Sequence, residues 1–409
     1  MPHVVWALAG GQCVAAAVSY TFLFAYLYLV HQRDLSLTAA GLVSGLSGIG
    51  SVAGNFTGGF FGDRIGHRTV LALAATVSGV FTALIPAVPI AVLVAALPMA
   101  AYGGGVMRVA MAALVAEVAP AGRRRPSFAV SRVSVNAGVT IGAPLGALIA
   151  TWSYSVLFIA DGTASLLFAG YALWVLRRLQ QPVSRAERFP DSRGERLWSS
   201  LRREPAVLAV LCGVVIVDIA YREQYTTLPV FLSARGEPLT LYGWLIAVNT
   251  GLILLIEIPL TVRLQRRSPL HLIAAGFALV GLGFGLLVPV TWLYPHGGAT
   301  WPVTLSAVVM MLVVTAGEML YKATATAHVA DRAPQHLIGG YQSLYAGASV
   351  SGVVLSPVIG SALYAGSASL LWLAVAVAPV VAGAVIAVGA RRATALPDRE
   401  ALDASRPVV

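Results

Sequence analysis

From Val4 to Val30 the chain runs for 27 residues without one Asp, Glu, Lys, Arg or His. A stretch that long and that apolar cannot cover a water-facing surface, but it can cross a bilayer as a helix, which takes about 20 apolar residues. Similar runs recur, and the expected spans are 5–30, 39–61, 69–86, 90–118, 126–151, 155–176, 205–232, 240–262, 270–291, 302–330, 336–364 and 368–390. Only 11% of the residues are charged and 58% are hydrophobic, where soluble chains carry about 25% charged residues. A water-soluble multidomain protein is thereby excluded. Continuous runs also exclude a membrane β-barrel, whose strands alternate in pieces of about ten residues. The expected fold class is all-α integral membrane, with twelve transmembrane helices in two pseudo-twofold-related six-helix bundles.

One hydrophilic segment interrupts this pattern. Residues 177–204 hold eight Arg, four acids and two Pro, and divide the chain into a bundle at 1–176 and a second at 205–391, followed by a tail at 392–409. A short amphipathic helix near Arg196–Arg203 is expected to lie on the membrane surface. The balance of 27 Lys+Arg against 17 Asp+Glu reads as loop asymmetry rather than as affinity for nucleic acid. With the N-terminus inside, 21 Arg fall in cytoplasmic segments, and the outer loops keep Arg33 and Arg235. That bias puts both termini in the cytoplasm of a multi-pass cell-membrane protein. The first apolar run is too long, and lacks the preceding basic segment, for a cleavable signal. Cys13 and Cys212 sit in apolar runs with no metal-ligand spacing.

The two halves repeat. Val115-Ala-Glu-Val-Ala-Pro120 returns as Val329-Ala-Asp-Arg-Ala-Pro334, displaced by 214 residues. Gly142-Ala-Pro144-Leu-Gly146 in span 5 has its counterpart in Ser356-Pro357-Val-Ile-Gly360 in span 11. Spans 2 and 8 align so that Asn55 lies opposite Glu257. Two repeated six-helix halves are a transporter architecture, with substrate held between them near the bilayer midplane.

After span 2 the chain reads Gly58-Gly-Phe-Phe-Gly62-Asp63-Arg64-Ile-Gly66-His67-Arg68. This resembles the signature loop of the major facilitator superfamily, with His67 in place of a basic residue. Gly58 and Gly62 share one helix face and allow close approach of a neighbour. The resemblance implies a conformational latch at Gly58, Gly62, Asp63, Arg64, Gly66 and Arg68 that joins spans 2 and 11 and favours an outward-open state. Gly138, Gly142, Pro144 and Gly146 in span 5 resemble the antiporter motif of the same superfamily, with Pro displaced by one position and the last Gly replaced by Ala147. Tyr225-Thr-Thr-Leu-Pro229 and Asn249…Glu257-Ile-Pro259 look like segments of bacterial twelve-helix drug:proton antiporters. What the resemblance implies is a cavity surrounded by spans 1, 4, 7 and 10.

Ionisable residues inside membrane helices are costly and are functional candidates for that reason. Asp218, Glu223 and Glu318 are the candidate proton-coupling acids. Arg108, Arg222, Lys322, Glu257, Tyr225, Tyr321 and Tyr345 are candidates to line the substrate cavity. The repeat places Arg108 and Lys322 at equivalent depth, facing one another. Asp218–Arg222 and Glu318–Lys322 have i,i+4 spacing, which suits ion pairs, so each is either part of a coupling network or a neutralised structural pair. Asp161 reads as structural, Glu117 and Asp331 as gate or surface charges, and Arg132 as either buried or snorkelling to the surface.

The chain has no phosphate-binding Gly-x-x-x-x-Gly-Lys-Ser/Thr loop, nucleophile elbow or His/Cys metal cluster. It is expected to be neither an enzyme nor a cofactor protein. The favoured function is proton-coupled efflux of a small amphipathic drug or metabolite by alternating access. Its partners are then the bilayer, a small-molecule substrate and protons, with no nucleic acid, and the protein is expected to be a monomer. A symporter or uniporter, a lipid flippase and a non-transporting receptor remain as alternatives.

Overall fold

The computed structural model describes residues 3–118, 124–177, 197–264, 267–294, 300–334 and 338–404, and these residues form helices with no strand among them. Twelve stretches are long and apolar enough to cross a membrane. Spans 1 to 6 are Val5–His31, Leu37–Gly62, His67–Leu84, Ile90–Val115, Val133–Trp152 and Tyr154–Val175. Spans 7 to 12 are Pro205–Ser233, Leu239–Glu257, Pro269–Leu293, Trp301–Val329, Leu344–Gly366 and Ala368–Gly389. An even number of crossings leaves the two ends of the chain on one face, called here the termini face. Most of the polar 177–204 segment lies outside the described residues. Its last part forms the expected short helix, Leu197–Arg202, with Trp198 exposed, Leu201 buried and the Ser200 hydroxyl 3.0 Å from that of Tyr341. The last helix runs on from span 12 to Ala404, so the expected tail begins as helix.

Four of the described spans are broken. Span 1 consists of helices His3–Ala17 and Thr21–His31, span 7 of Pro205–Arg222 and Thr227–Ser233 and span 9 of Pro269–Gly285 and Leu287–Leu293, and span 11 includes a break between Ala348 and Ser351. In span 7 the physical cause is Pro229, which has no N–H to return to the Tyr225 carbonyl. The break in span 1 is capped from outside: Asp161 Oδ2 accepts the N–H groups of Tyr20 (2.9 Å) and Thr21 (2.8 Å) and the Thr21 hydroxyl (2.6 Å). Asp161 is therefore structural, as its sequence position suggested, and it satisfies backbone donors that hydrocarbon would leave unpaired.

Without water to expel, helices in a bilayer associate through close packing of small residues. The repeat is visible in where those residues fall. A Cβ at Gly103 of span 4 would lie 2.7 Å from the Ser78 nitrogen of span 3, and one at Gly317 of span 10 would lie 2.7 Å from the Gly276 carbonyl of span 9. These glycines are 214 residues apart and make the same contact in the two bundles.

The bundles meet along two seams, both in the half of the membrane away from the termini. Gly41, Gly45 and Gly48 of span 2 approach Pro357, Ser361, Val358 and Val353 of span 11. Gly243 of span 8 packs on Ala143, Pro144 and Ala147 of span 5, and the Thr140 and Thr250 hydroxyls lie 2.7 Å apart. One apolar core runs through both bundles on this side. Toward the termini face the first bundle has a separate core around Leu71, Ala110 and Phe168. The bundles are thus joined at the far face and part toward the termini.

Candidate functional site

Between the seams and the termini face lies a cavity of about 300 Å³, lined by Val214 and Asp218 of span 7, Tyr321, Lys322 and Thr326 of span 10, and Tyr345 and Ser349 of span 11. Four of the candidate residues line it, Asp218, Tyr321, Lys322 and Tyr345, and two more, Arg222 and Glu318, pair with Asp218 and Lys322. Asp218 is 3% exposed. Its Oδ1 lies 3.6 Å from Arg222 Nε, an ion pair too long for a hydrogen bond. Its Oδ2 accepts the Gly352 N–H at 2.8 Å. Gly352 is the second residue of the helical segment that resumes span 11 at Ser351. The carboxylate therefore caps a broken helix, where orphan N–H groups and the helix dipole both favour an anion.

Glu318 is more completely occupied. Lys322 Nζ donates to its Oε1 at 2.6 Å, and Tyr221 Oη (2.9 Å) and Asn249 Nδ2 (3.1 Å) donate to its Oε2. Asn249 also donates to the Thr315 hydroxyl at 2.9 Å, and Lys322 Nζ sits 3.9 Å from the centre of the Tyr221 ring. This network ties together spans 7, 8 and 10. Tyr345 donates to the Lys322 carbonyl at 3.1 Å. Tyr321 packs edge-on to Phe277, and Tyr225 edge-on to Phe22 of the other bundle.

Glu223 does not enter the cavity. It turns to span 11, where Oε1 accepts from Ser356 Oγ (2.8 Å) and Oε2 from Thr227 Oγ1 (2.6 Å) and Thr226 Oγ1 (3.0 Å). The next residue, Gln224, is fully buried with neither amide atom hydrogen-bonded.

Arg108 and Lys322, expected to face one another, have different surroundings. Lys322 is paired, whereas Arg108 is exposed and donates through Nη1 to the Asn55 side-chain oxygen at 3.3 Å, the Asn55 amide being turned so that its nitrogen donates to the Gly105 carbonyl. Glu257 is partly buried on span 8 and outside the cavity lining. The side chains of Asp63, Glu117 and Arg132 lie outside what the structure describes.

The two motifs found in sequence pack as helix faces. Gly58 approaches Val106 of span 4, and Gly62 approaches the His67 ring. Gly66 turns the chain at φ +88°, a left-handed conformation suited to glycine. Arg64 sits 4.0 Å from the Phe60 ring centre and Arg68 is partly buried. The span 2–span 11 contacts made by Gly41, Gly45 and Gly48 are at the far end of span 2 from this loop. In span 5, Gly138, Gly142 and Gly146 form one stripe against Cys13, Ala17 and Tyr20 of span 1, on either side of its break, while Pro144 faces Gly243 of span 8.

Adding 214 to each glycine of that stripe gives Gly352, Ser356 and Gly360 of span 11. These face span 7 in the same way, yet meet Asp218 and Glu223 there. The first bundle joins its two helices through backbone and small or aromatic side chains, and the second through two carboxylates. Sequence reading missed this seam because Gly352 carries no chemical signal of its own. The 214-residue repeat could have located it.

The profile of the Major Facilitator Superfamily matches residues 8–357. Among curated proteins, the chain is 27% identical over 373 residues to the uncharacterized MFS-type transporter YttB of Bacillus subtilis (strain 168), covering 89% of each sequence. It is 21% identical over 350 residues to the uncharacterized MFS-type transporter YqjV of the same organism, covering 84% of this chain and 82% of that one. A crystal structure of a POT family transporter in complex with 5-aminolevulinic acid superposes with a TM-score of 0.74 at 14% identity, over 94% of this chain and 95% of that one. At that identity the likeness speaks for the fold. Relatives and fold alike are those of transporters rather than enzymes. Twelve spans in two repeated bundles, a charged cavity lined by spans 7, 10 and 11 and a profile match across most of its length place this chain in the Major Facilitator Superfamily.

Proposed function

We propose that the protein is a proton-coupled exporter of a small amphipathic molecule, that its termini face is cytoplasmic, and that Asp218 carries the coupled proton. The arrangement described above is then the inward-facing state of an alternating-access cycle. The observation that carries this reading is the double engagement of Asp218: one carboxylate borders the cavity, pairs with Arg222 and holds the Gly352 N–H of span 11 at 2.8 Å.

Protonation of Asp218 removes the charge from both contacts. Charge-assisted hydrogen bonds are roughly twice as strong as neutral ones, so the tie to span 11 weakens as Arg222 is released. Span 11 also forms a seam with span 2, so a change at Asp218 is transmitted to the contact that closes the far face. Glu318, with every partner in place, supports the site rather than carrying the proton. Glu223 is a second acid on the same span 7–span 11 seam. The Arg bias of the termini-side loops supports the orientation.

The test is reconstitution of the full chain in liposomes holding a pH-sensitive dye, with an imposed pH gradient and a panel of cationic, neutral and anionic amphiphiles. Substrate movement against its own gradient, accompanied by proton flux, is expected. Movement with no proton flux under any gradient would remove the coupling.

A further inference from the structure

We infer that the substrate enters this cavity with an anionic group, a carboxylate or a phosphate, and that Arg108 is its counter-charge. The inference rests on reading the space between the bundles as the transport cavity. The charges near the cavity do not balance. Asp218 is matched with Arg222 and Glu318 with Lys322, which leaves Arg108 over. Asp161 is occupied by the break in span 1, and Glu223 by three hydroxyls. Glu237 is held through both oxygens by Thr304, at 2.9 Å each. Among the described residues no acid comes within ion-pairing distance of Arg108; its interactions are with Asn55 and with the like charge of Arg222.

A guanidinium within a span and without an acid is expensive. Asn55, turned so that its amide nitrogen donates to the Gly105 carbonyl at 3.0 Å, holds Arg108 Nη1 at 3.3 Å. The side chain is thereby held beside span 2, and the repeat, with Gly103 and Gly317 in equivalent contacts, sets it on span 4 where the cavity-lining Lys322 stands on span 10. One of its five N–H donors is used. The others present the planar fork that takes a carboxylate or phosphate through two parallel hydrogen bonds. Arg222 Nε is buried with no hydrogen bond, which gives the same region a second unfilled donor. Tyr321, Tyr345 and Val214 supply apolar surface for the rest of the molecule. A cavity of about 300 Å³ lies at the small end of sites that enclose organic ligands. The ligand chemistry that fits is a small organic anion with an aromatic or aliphatic body.

The test is thermal unfolding of the purified full chain in neutral detergent with four probes of similar shape and different charge: phenylacetate, phenyl phosphate, phenylacetamide and phenethylamine. Phosphatidylglycerol and phosphatidylcholine in mixed micelles form two further arms. Stabilisation by the two anions and not by the amide or amine is expected, with at least a ten-fold loss of anion affinity in Arg108→Gln and a smaller loss in Arg108→Lys. Unfolding of each variant without ligand reads any folding defect separately. Arg108-dependent stabilisation by phosphatidylglycerol alone would keep the anion site and make its source a lipid headgroup. Equal anion affinity in wild type and Arg108→Gln, or preference for phenethylamine, would overturn the inference. Binding in detergent needs no gradient, so anion binding without proton-coupled flux would refute the coupling and leave this site standing.

Discussion

The Asp218 carboxylate accepts the Gly352 N–H at 2.8 Å, so an acid at the edge of the cavity caps the second segment of a broken helix on a neighbouring span. A structural ion pair and a proton carrier predict different behaviour at this contact. Asp218→Asn keeps the volume and the ability to accept from Gly352, and removes the titration. The expected result is severe loss of proton-driven transport, with substrate exchange retained and no longer dependent on pH. Asn can also leave Arg222 unpaired, so a variant that loses stability and binding together at every pH would mark the acid as structural. Transport that stays fully proton-coupled would remove Asp218 from the mechanism.

Gly352→Ala tests the same contact from the other side. The added Cβ would lie 2.7 Å from Asp218 Oδ2 and closer still to its backbone carbonyl. Spans 7 and 11 must then separate, and overpacking of this kind costs about 1–3 kcal/mol. A lowered unfolding temperature together with slowed turnover is expected; an unchanged temperature would mean that the spans are not in tight contact.

Gln224 is buried beside the break in span 7 with its amide nitrogen and oxygen both unpartnered. A buried unpaired polar group costs about 1–3 kcal/mol, and an apolar side chain of similar shape recovers it. Gln224→Met is expected to raise thermal stability. If the amide finds partners in the outward-facing state, the same variant slows transport; a stabilised protein with wild-type turnover would confine the effect to one state.

The seam between spans 2 and 11 can be locked. A Cβ at Gly45 would sit 2.7 Å from a Val358 methyl, which brings the two Cβ positions near the 3.5–4.5 Å that a disulfide requires, about the usual range. With Cys13 and Cys212 replaced, Gly45→Cys with Val358→Cys is expected to cross-link under oxidation and stop transport, and reductant should restore it. Full transport by the cross-linked protein would show that this seam need not open.

Orientation is checked by cysteine accessibility at two exposed sites, Asp34 on the far face and Arg267 on the termini face. Both suit an impermeant reagent better than Arg235, which is partly buried with its guanidinium 3.7 Å from the Phe231 ring centre. Asp34→Cys is expected to react in intact cells and Arg267→Cys only after permeabilisation. The reverse pattern would invert the topology.

The sequence alone determined the spans, the all-helical class, the two-bundle repeat and the superfamily resemblance, because hydrocarbon forces long apolar helices and gene-scale repetition leaves matching motifs at a fixed offset. It also picked out Asp218 with Arg222 and Glu318 with Lys322 as pairs, because a charge in a membrane helix is conspicuous and i,i+4 spacing sets pairs on one face. What only the tertiary structure decided is which partner each charge meets across helices. Glu223, one residue from Arg222, turns to the hydroxyl of Ser356. Arg108, equivalent to Lys322 by repeat, has no acid beside it among the described residues. The Asp218–Gly352 contact joins a conspicuous residue to a silent one. Such contacts depend on the rotation and depth of one helix against another, set by small-residue packing along whole interfaces, and no local stretch of sequence contains that information.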